Sequence, residues 1–221
     1  LLPASSSGSR SNNNPASNLP TFSDLQPVSL TDYTLRRYLH GIPEGPREII
    51  PQSALPLESN IDYMSGVDFR KGCYVGQELT IRTRHTGVVR KRVLPVQLYH
   101  PSAPEPETLS YDAGWDGPTP PEGVDIKRYE GLESGRKARA AGKSITCVGN
   151  VGLAMCRLEM MTDTRLTAES SGAGAYHPGM EFGMRWVPEG QEKEEVVKVK
   201  AFVPEWHKER RWEGKTQRRV E

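Results

Sequence analysis

Two segments near the C-terminus alternate apolar and polar residues, and this pattern constrains the fold more than any other. A period of two is typical of a strand with one buried face. The apolar positions are Met180, Phe182, Met184 and Trp186 in the first segment, and Val197, Val199, Ala201 and Val203 in the second. Since a turn-forming VPEGQEKEE stretch joins 180–187 to 196–203, the pattern predicts a β-hairpin with a buried face.

Further strands are predicted upstream of this hairpin. GVVRKRVLPVQLY, residues 87–99, is rich in β-branched residues, and 143–160 resembles two strands joined at Gly149-Asn150. Residues 101–142 hold six prolines and six glycines, which favours an inserted loop or disordered excursion. Four to six strands with long connections predict a small β-barrel over 87–205.

The region before the barrel is predicted to be helical or irregular. TDYTLRRYLHG, residues 31–41, has a threonine at its start and a glycine at its end, as a short helix would. VGQELTIRTRH, residues 75–85, predicts a second helix with Val75 and Leu79 on one side, and 67–69 predicts a short strand. Residues 1–30 are predicted to be a disordered or low-complexity loop.

The overall charge excludes two classes of partner. With 29 basic and 28 acidic residues the net charge is +1, which gives no electrostatic reason to expect nucleic acid or a membrane surface. No apolar run approaches the roughly 20 residues of a membrane helix, so no membrane insertion is expected. The tail over 206–221 is basic, and we expect it to be solvated, with Trp212 touching the domain.

The three cysteines, Cys73, Cys147 and Cys156, are too few and too widely spaced for a disulfide framework, which favours a reducing compartment. The strand patterns predict core packing for Cys147 and Cys156.

Cys73 lies in RKGCYVGQEL between two glycines and after two cations. If the following helix begins near Val75, Cys73 lies at its N-terminal edge, where the helix dipole and Arg70 and Lys71 favour a thiolate. A thiolate is the form that acts as a nucleophile or a soft-metal ligand. A small packed residue and a Cys–His couple with His85 are the alternatives.

The octapeptide KGCYVGQE, residues 71–78, resembles the signature of the YgfZ-type family in the folate-binding superfamily of the glycine cleavage T-protein. T-proteins lack the cysteine and carry a related sequence there, so the resemblance is to the assembly-factor branch. The flanking segments resemble the family in the same order: GIPEG (41–45), ALPLESNID (54–62), VDFRKGCYVGQELTIRTRHTGVVRKRVLPV (67–96) and VGLAMCRLE (151–159).

The resemblance implies an α+β fold, in which 31–86 form the C-terminal part of a T-protein-like α/β folate-binding domain and a small C-terminal β-barrel follows. Mitochondrial members of this family are iron–sulfur cluster assembly factors. The implied function is to help form or transfer [4Fe–4S] or shared [2Fe–2S] clusters in the mitochondrial matrix, as a non-enzymatic factor rather than as an enzyme. The family's N-terminal half, which supplies much of the pocket for tetrahydrofolate, has no counterpart in these 221 residues.

The resemblance makes Cys73 the functional residue. An iron–sulfur cluster needs about four thiolate or imidazole ligands, so Cys73 is expected to ligate a cluster shared with an A-type scaffold protein. The residues expected to bind or shape the cluster site around it are Lys71, Gly72, Tyr74, Gly76, Gln77, Glu78, Arg82, Arg84 and His85.

Two other functions stay open at this point. The first is a folate-dependent aminomethyl or one-carbon transferase, in which Glu58, Asp62 or Glu78 would position an amine beside the pterin. The second is an interaction module in which Cys73 is inert.

Overall fold

The computed structural model describes residues 26–85, 87–133, 139–164, 166 and 176–209. The elements in chain order are α1 Leu30–His40, α2 Gly45–Glu48, α3 Gln77–His85, β1 Lys91–Tyr99, β2 Asp125–Arg128, α4 Tyr129–Glu133, β3 Gly142–Val148, β4 Val151–Arg157, α5 Leu158–Met161, β5 Phe182–Trp186 and β6 Glu195–Ala201. The predictions for 1–25 and for 210–221, including Trp212, lie outside the described residues. Within those residues, no helix has the length and apolar character needed to cross a bilayer.

The six strands form a closed antiparallel barrel in the order β1-β4-β3-β2-β5-β6, with β6 pairing back onto β1. The predicted C-terminal β-barrel is therefore confirmed. Its interior is filled by apolar side chains from every strand. The buried core residues of the strands include Leu94, Val96, Leu98, Ile126, Ala154, Cys156, Phe182, Met184, Val197 and Val199.

Both predicted hairpins are present. In the β5–β6 hairpin, Phe182 lies opposite Val199 and Met184 opposite Val197, so the alternating apolar residues share the inner face. In the β3–β4 hairpin, Gly149-Asn150 forms the turn, and the φ of Gly149 is +57°, a conformation that favours glycine.

The interpretation of 101–142 as an inserted excursion is wrong for part of its length. Residues 125–128 form β2, which pairs with both β3 and β5, and α4 follows directly. The reason is that Ile126, completely buried, fills the barrel interior between those two neighbours. Upstream, the side chain of Asn150 accepts from the Asp112 amide (2.8 Å) and donates to the Ser110 carbonyl (3.1 Å), which fixes the loop against the barrel.

The first helix is close to its predicted range but is capped differently. Ser29, not Thr31, is the N-cap, and its hydroxyl accepts from the Asp32 amide (3.0 Å) while Asp32 accepts from the Ser29 amide (3.3 Å). Gly41 ends the helix at φ +71°. The predicted strand over 67–69 is absent, because the described residues there form coil and turn without a pairing partner.

A buried polar cluster joins α1 to α2 and to the barrel. The Arg37 guanidinium donates two hydrogen bonds to the Glu48 carboxylate (2.7 and 3.0 Å), and the Tyr38 hydroxyl donates a third (2.8 Å). Burial by itself would raise the pKa of Glu48, but Arg37, the Glu44 amide and Tyr38 together hold that pKa below its usual value. The Tyr38 hydroxyl also reaches Thr146 of β3 (3.3 Å), so the cluster ties the helices to the barrel.

Arg92 of β1 attaches the segment before α3 to the barrel. Its buried guanidinium contacts both oxygens of Asp62 (2.8 and 3.0 Å), donates to the Leu57 carbonyl (2.6 Å) and lies 3.8 Å from the centre of the Tyr63 ring. The backbone of β1 contributes too, because the Val93 carbonyl accepts from the side chain of Asn60 (2.7 Å).

The C-terminal end of the described chain returns to this junction. Residues 205–209 are helical, and His207 is buried with its ring edge-on to Tyr63 at 4.9 Å. The Trp206 indole donates to the His40 carbonyl at the end of α1 (2.9 Å). The expectation of a solvated tail is therefore wrong at its first residues, because the rings of Trp206 and His207 close the gap between α1 and residue 63.

Candidate functional site

Cys73 lies on an exposed loop that precedes α3. The prediction that a helix begins near Val75 is wrong, because α3 begins at Gln77. The preceding Gly76 has a φ of +84°, which a right-handed helix does not accommodate. The helix therefore cannot begin before Gln77. Cys73 thus lies four residues before the first helical residue, and the helix dipole acts mainly within the first turn.

A reciprocal pair of hydrogen bonds fixes the loop just after Cys73. The Tyr74 amide donates to the side-chain oxygen of Gln77 (3.2 Å), and the Gln77 amide donates to the Tyr74 carbonyl (3.3 Å). On the other side of the cysteine, the Lys71 ammonium lies 4.4 Å from the centre of the Tyr74 ring. The structure therefore brings Lys71, Tyr74 and Gln77 together around the Cys73 loop.

The two glycines of the motif differ in what they contribute. The backbone at Gly76 has a positive φ, a conformation that favours glycine. Gly72 does not have a positive φ, and a Cβ added there would meet nothing within 4 Å. Gly72 therefore leaves open space beside Cys73 rather than enabling an unusual backbone conformation.

The remaining predicted residues are distributed along α3. Glu78 and Arg82 are exposed, and the Arg84 guanidinium lies 4.1 Å from the centre of the Phe69 ring. His85 is the last residue of this nine-residue helix, so it lies about 12 Å along the helix axis from the end that carries Cys73. A Cys73–His85 couple stays a prediction.

The side of α3 that carries Leu79 is exposed. Leu79 is 45% exposed and Val75, before the helix, is fully exposed, while Thr80 is buried. The helix begins two residues after Val75, and Thr80 is its buried residue among those described.

The other two cysteines are enclosed by the barrel. Cys156 is completely buried in the core, and Cys147 packs against the same cluster. Burial raises the pKa of each thiol to about 12. Of the three cysteines in the sequence, all of which the structure describes, Cys73 alone is exposed.

Two of the three carboxylates considered for amine positioning are already engaged. Glu58 forms an ion pair with Lys91 (3.1 Å), and Asp62 forms the buried pair with Arg92. Glu78 is exposed on the first turn of α3. Among the described residues, no three side chains of His, Cys, Asp or Glu converge as a metal site would require.

A small cavity lies beside the Cys73 loop and includes residues that the sequence did not single out. It has a volume of about 140 Å³, and Lys71 and Tyr74 contribute to its wall together with Asp68 and Thr80. The Asp68 carboxylate accepts from the Arg70 amide (2.8 Å), which shapes the chain entering the motif. An aspartate that accepts from the amide two residues later is typical of a turn, so this contact could have been predicted from the sequence.

Comparisons with known proteins agree with this architecture. The family described as CAF17, C-terminal beta-barrel domain, matches residues 90–209. A protein named iron-sulfur cluster assembly factor IBA57 homolog, mitochondrial, from Aspergillus clavatus is 53% identical over 190 residues, which cover 82% of this chain and 41% of the relative. Proteins of the same name from Aspergillus fumigatus (56% identical; 81% of this chain, 40% of the relative) and Coccidioides immitis (51%; 88% and 46%) are also similar.

The chain thus spans less than half the length of these relatives. A match over 82% of 221 residues necessarily includes position 73, because no window of that length can miss it. The similarity therefore extends from the barrel into the segment that carries the exposed thiol.

Proposed function

Since the chain belongs to the family of the CAF17 C-terminal β-barrel domain, we propose that it is a mitochondrial iron–sulfur cluster assembly factor that acts in the matrix. The names of the relatives give iron–sulfur cluster assembly as their function and the mitochondrion as their location. The region they share with the chain includes position 73. The cluster is the cargo of such a factor rather than its resident cofactor.

The observation that carries the proposal is the exposure of Cys73 on a loop held by its neighbours. A shared cluster ligand has to be reachable by a second protein, and it has to be a thiolate when it binds iron. Cys147 and Cys156 meet neither requirement, because the barrel encloses them and burial raises their pKa.

In the proposed step, the Cys73 thiol releases its proton to solvent and its sulfur forms one bond to iron. Since a cluster needs about four such ligands, an A-type scaffold protein supplies the others from its own cysteines. The Lys71 ammonium, held over the Tyr74 ring, adds positive charge near an anionic cluster. The open space at Gly72 lets the partner's backbone approach the sulfur. Glu78 and Arg82, exposed on α3, lie next along the surface that such a partner would cover.

The transferase alternative receives less support from the geometry. A carboxylate that positions an amine should face the ligand, whereas Glu58 and Asp62 face Lys91 and Arg92. We also propose that 31–86 correspond to the C-terminal part of a T-protein-like folate-binding domain, as the motif and its flanks suggest. The greater part of each relative lies outside the matched region, and tetrahydrofolate binding is not part of the proposal for this chain.

Cluster reconstitution with a purified A-type scaffold tests the proposal. The wild-type chain should form a complex with the scaffold that carries visible cluster absorption, and Cys73→Ser should lower its yield at least tenfold. Cys147→Ala is the matched control, since it removes a thiol that the barrel encloses, and it should behave like the wild type.

Far-UV circular dichroism establishes that each variant is folded before the yields are compared. Equal cluster yields for Cys73→Ser and the wild type would contradict the proposal. A folate titration in the same preparations separates the transferase, which should bind folate whether or not residue 73 is a cysteine.

A further inference from the structure

The charged residues are distributed unevenly along the chain, although the net charge is only +1. Residues 70–92, which carry Cys73 and α3, include seven basic residues and one acidic residue. Residues 100–124, between β1 and β2, include five acidic residues and neither lysine nor arginine. Residues 187–195, at the turn between β5 and β6, include four acidic residues and one lysine. The chain therefore has a basic part and an acidic part.

The barrel places these two parts at opposite ends. β1 runs from Lys91 to Tyr99 and β6, antiparallel to it, begins at Glu195, so both acidic segments connect strands at the end where β1 finishes. α3 lies at the other end, because it borders a groove together with residues 88–91 and Arg157, the last residue of β4. The nine residues of β1 span about 30 Å between the two ends.

Aromatic rings hold part of the basic charge beside Cys73 without neutralising it. The Lys71 ammonium lies 4.4 Å from the centre of the Tyr74 ring, and the Arg84 guanidinium lies 4.1 Å from the centre of the Phe69 ring. A cation over the face of a ring is attracted by the ring's quadrupole and keeps its full charge. The rings therefore fix where the positive charge stands and leave it available to a second molecule.

The carboxylates of the same stretch do not cancel this charge. Residues 68–90 contain five lysines and arginines, with Asp68 and Glu78 as the acidic residues. Arg70 and Arg90 are exposed, and neither forms an ion pair with a carboxylate in the part of the chain that the structure describes. We call the five basic side chains of this stretch the basic face: Arg70, Lys71, Arg82, Arg84 and Arg90.

We propose that the basic face receives a protein whose own docking surface is acidic around its cluster thiolates. Opposite charges accelerate the encounter of two proteins, and the acidic end of the barrel repels the same partner, so the partner approaches with Cys73 in front of it. The thiol in this face favours a protein over a lipid surface, because a cluster iron needs further thiolate ligands. The inference rests on the proposed function for the A-type scaffold as partner, but the charge of the face can be measured without that partner.

Charged thiol reagents measure the electrostatic potential at Cys73 directly. Cys73 is the exposed cysteine among the three, so an anionic and a cationic methanethiosulfonate reagent both report on it in the wild-type chain. The reference is Val187→Cys in the chain carrying Cys73→Ser, because residue 187 is exposed at the acidic end. The ratio of anionic to cationic labelling rates should be about fivefold higher at residue 73 than at residue 187. In about 1 M NaCl, the two ratios should converge.

Two charge reversals of equal size separate the local charge from the net charge. Arg70→Glu changes the basic face, and Lys193→Glu makes the same change at the exposed β5–β6 turn. Arg70→Glu should lower the labelling ratio at Cys73 about threefold and should slow association with a cluster-loaded A-type scaffold by a similar factor at low salt. Lys193→Glu should leave both quantities unchanged. Far-UV circular dichroism establishes that each variant is folded.

Equal labelling ratios at residues 73 and 187 would overturn the proposal, whether or not a scaffold binds. A raised ratio at Cys73 together with an association rate that ignores both salt and Arg70→Glu would overturn it too, because the partner's surface would then not be acidic. Sedimentation of the wild-type chain, but not of Arg70→Glu, with phosphatidylserine-containing vesicles would assign the basic face to a lipid surface instead. Loss of the cluster in Cys73→Ser without any effect of Arg70→Glu would support the proposed function and contradict this inference.

Discussion

At the scale of single residues, the loop of Cys73 depends on one side-chain amide. The Gln77 side chain accepts from the Tyr74 amide, and the Gln77 amide donates to the Tyr74 carbonyl. Both backbone polar groups of the residue after the cysteine are therefore hydrogen-bonded to Gln77. Gln77 is therefore a positioning residue for the proposed cluster ligand, and its effect on Cys73 passes through the backbone.

Gln77→Leu should loosen the turn, because Tyr74 loses its acceptor while the size of the side chain is retained. A hydrogen bond contributes about 0.5–1.5 kcal/mol, so hydrogen exchange at the Tyr74 amide should accelerate about two- to tenfold. Gln77→Glu keeps an acceptor oxygen and is the control. Unchanged exchange in Gln77→Leu would show that the turn does not depend on this side chain.

At the scale of secondary-structure elements, the end of α1 is shaped by contact with the barrel. Gly41 has a φ of +71°, and a Cβ there would lie 2.7 Å from Cδ of Pro95 in β1. Gly45, at the start of α2, has a similar φ of +74° but an added Cβ would meet nothing within 4 Å. Alanine substitutions at these two glycines therefore separate the effect of backbone strain from the effect of steric contact.

Gly41→Ala should therefore destabilise the protein more than Gly45→Ala. Both substitutions incur about 1–2 kcal/mol of backbone strain, and the contact with Pro95 adds about 1–3 kcal/mol for Gly41→Ala. Urea unfolding followed by circular dichroism measures both free energies. Equal losses would mean that Pro95 moves aside without cost.

Elements with a strong local pattern could be predicted from the sequence, and elements that depend on distant partners could not. The alternation of 180–187 and 196–203 and the Gly149-Asn150 turn are local signals, and both hairpins are confirmed. Strand β2 has four residues and one buried apolar side chain, Ile126, so its existence follows from pairing with β3 and β5.

The same distinction applies to the site. The sequence motif identified the exposed thiol. The start of the helix was not predicted, because the positive φ of Gly76 places the first residue of α3 after Val75. No local sequence pattern gives that angle. The exposure of Leu79 likewise depends on how α3 lies against the rest of the chain, which the periodicity of one helix does not contain.

At the scale of the whole molecule, the segment before α3 and the barrel are joined by a buried ion pair. Arg92 and Asp62 have side chains only 4% and 5% exposed, and Arg92 also holds the Leu57 carbonyl. Arg92→Leu leaves the Asp62 carboxylate buried without its partner, which typically costs about 3–5 kcal/mol. Guanidinium unfolding should report this loss.

Lys143→Leu is the matched control, since its pair with Asp125 spans 3.7 Å at a half-exposed position and such pairs contribute about 0–1 kcal/mol. A small loss for Arg92→Leu, comparable with that of Lys143→Leu, would mean that water or another cation reaches Asp62. The Arg92 result matters for function because this pair holds the segment leading to Cys73 against the barrel.

The closure of the barrel limits how other proteins can recognise this one. Since β6 pairs with β1, the described strands leave no open edge to which an extended peptide could add its own backbone. A protein that binds this barrel would therefore have to contact its side chains and loops. The same closure leaves the folded barrel without a free strand edge onto which a strand of a second copy could add.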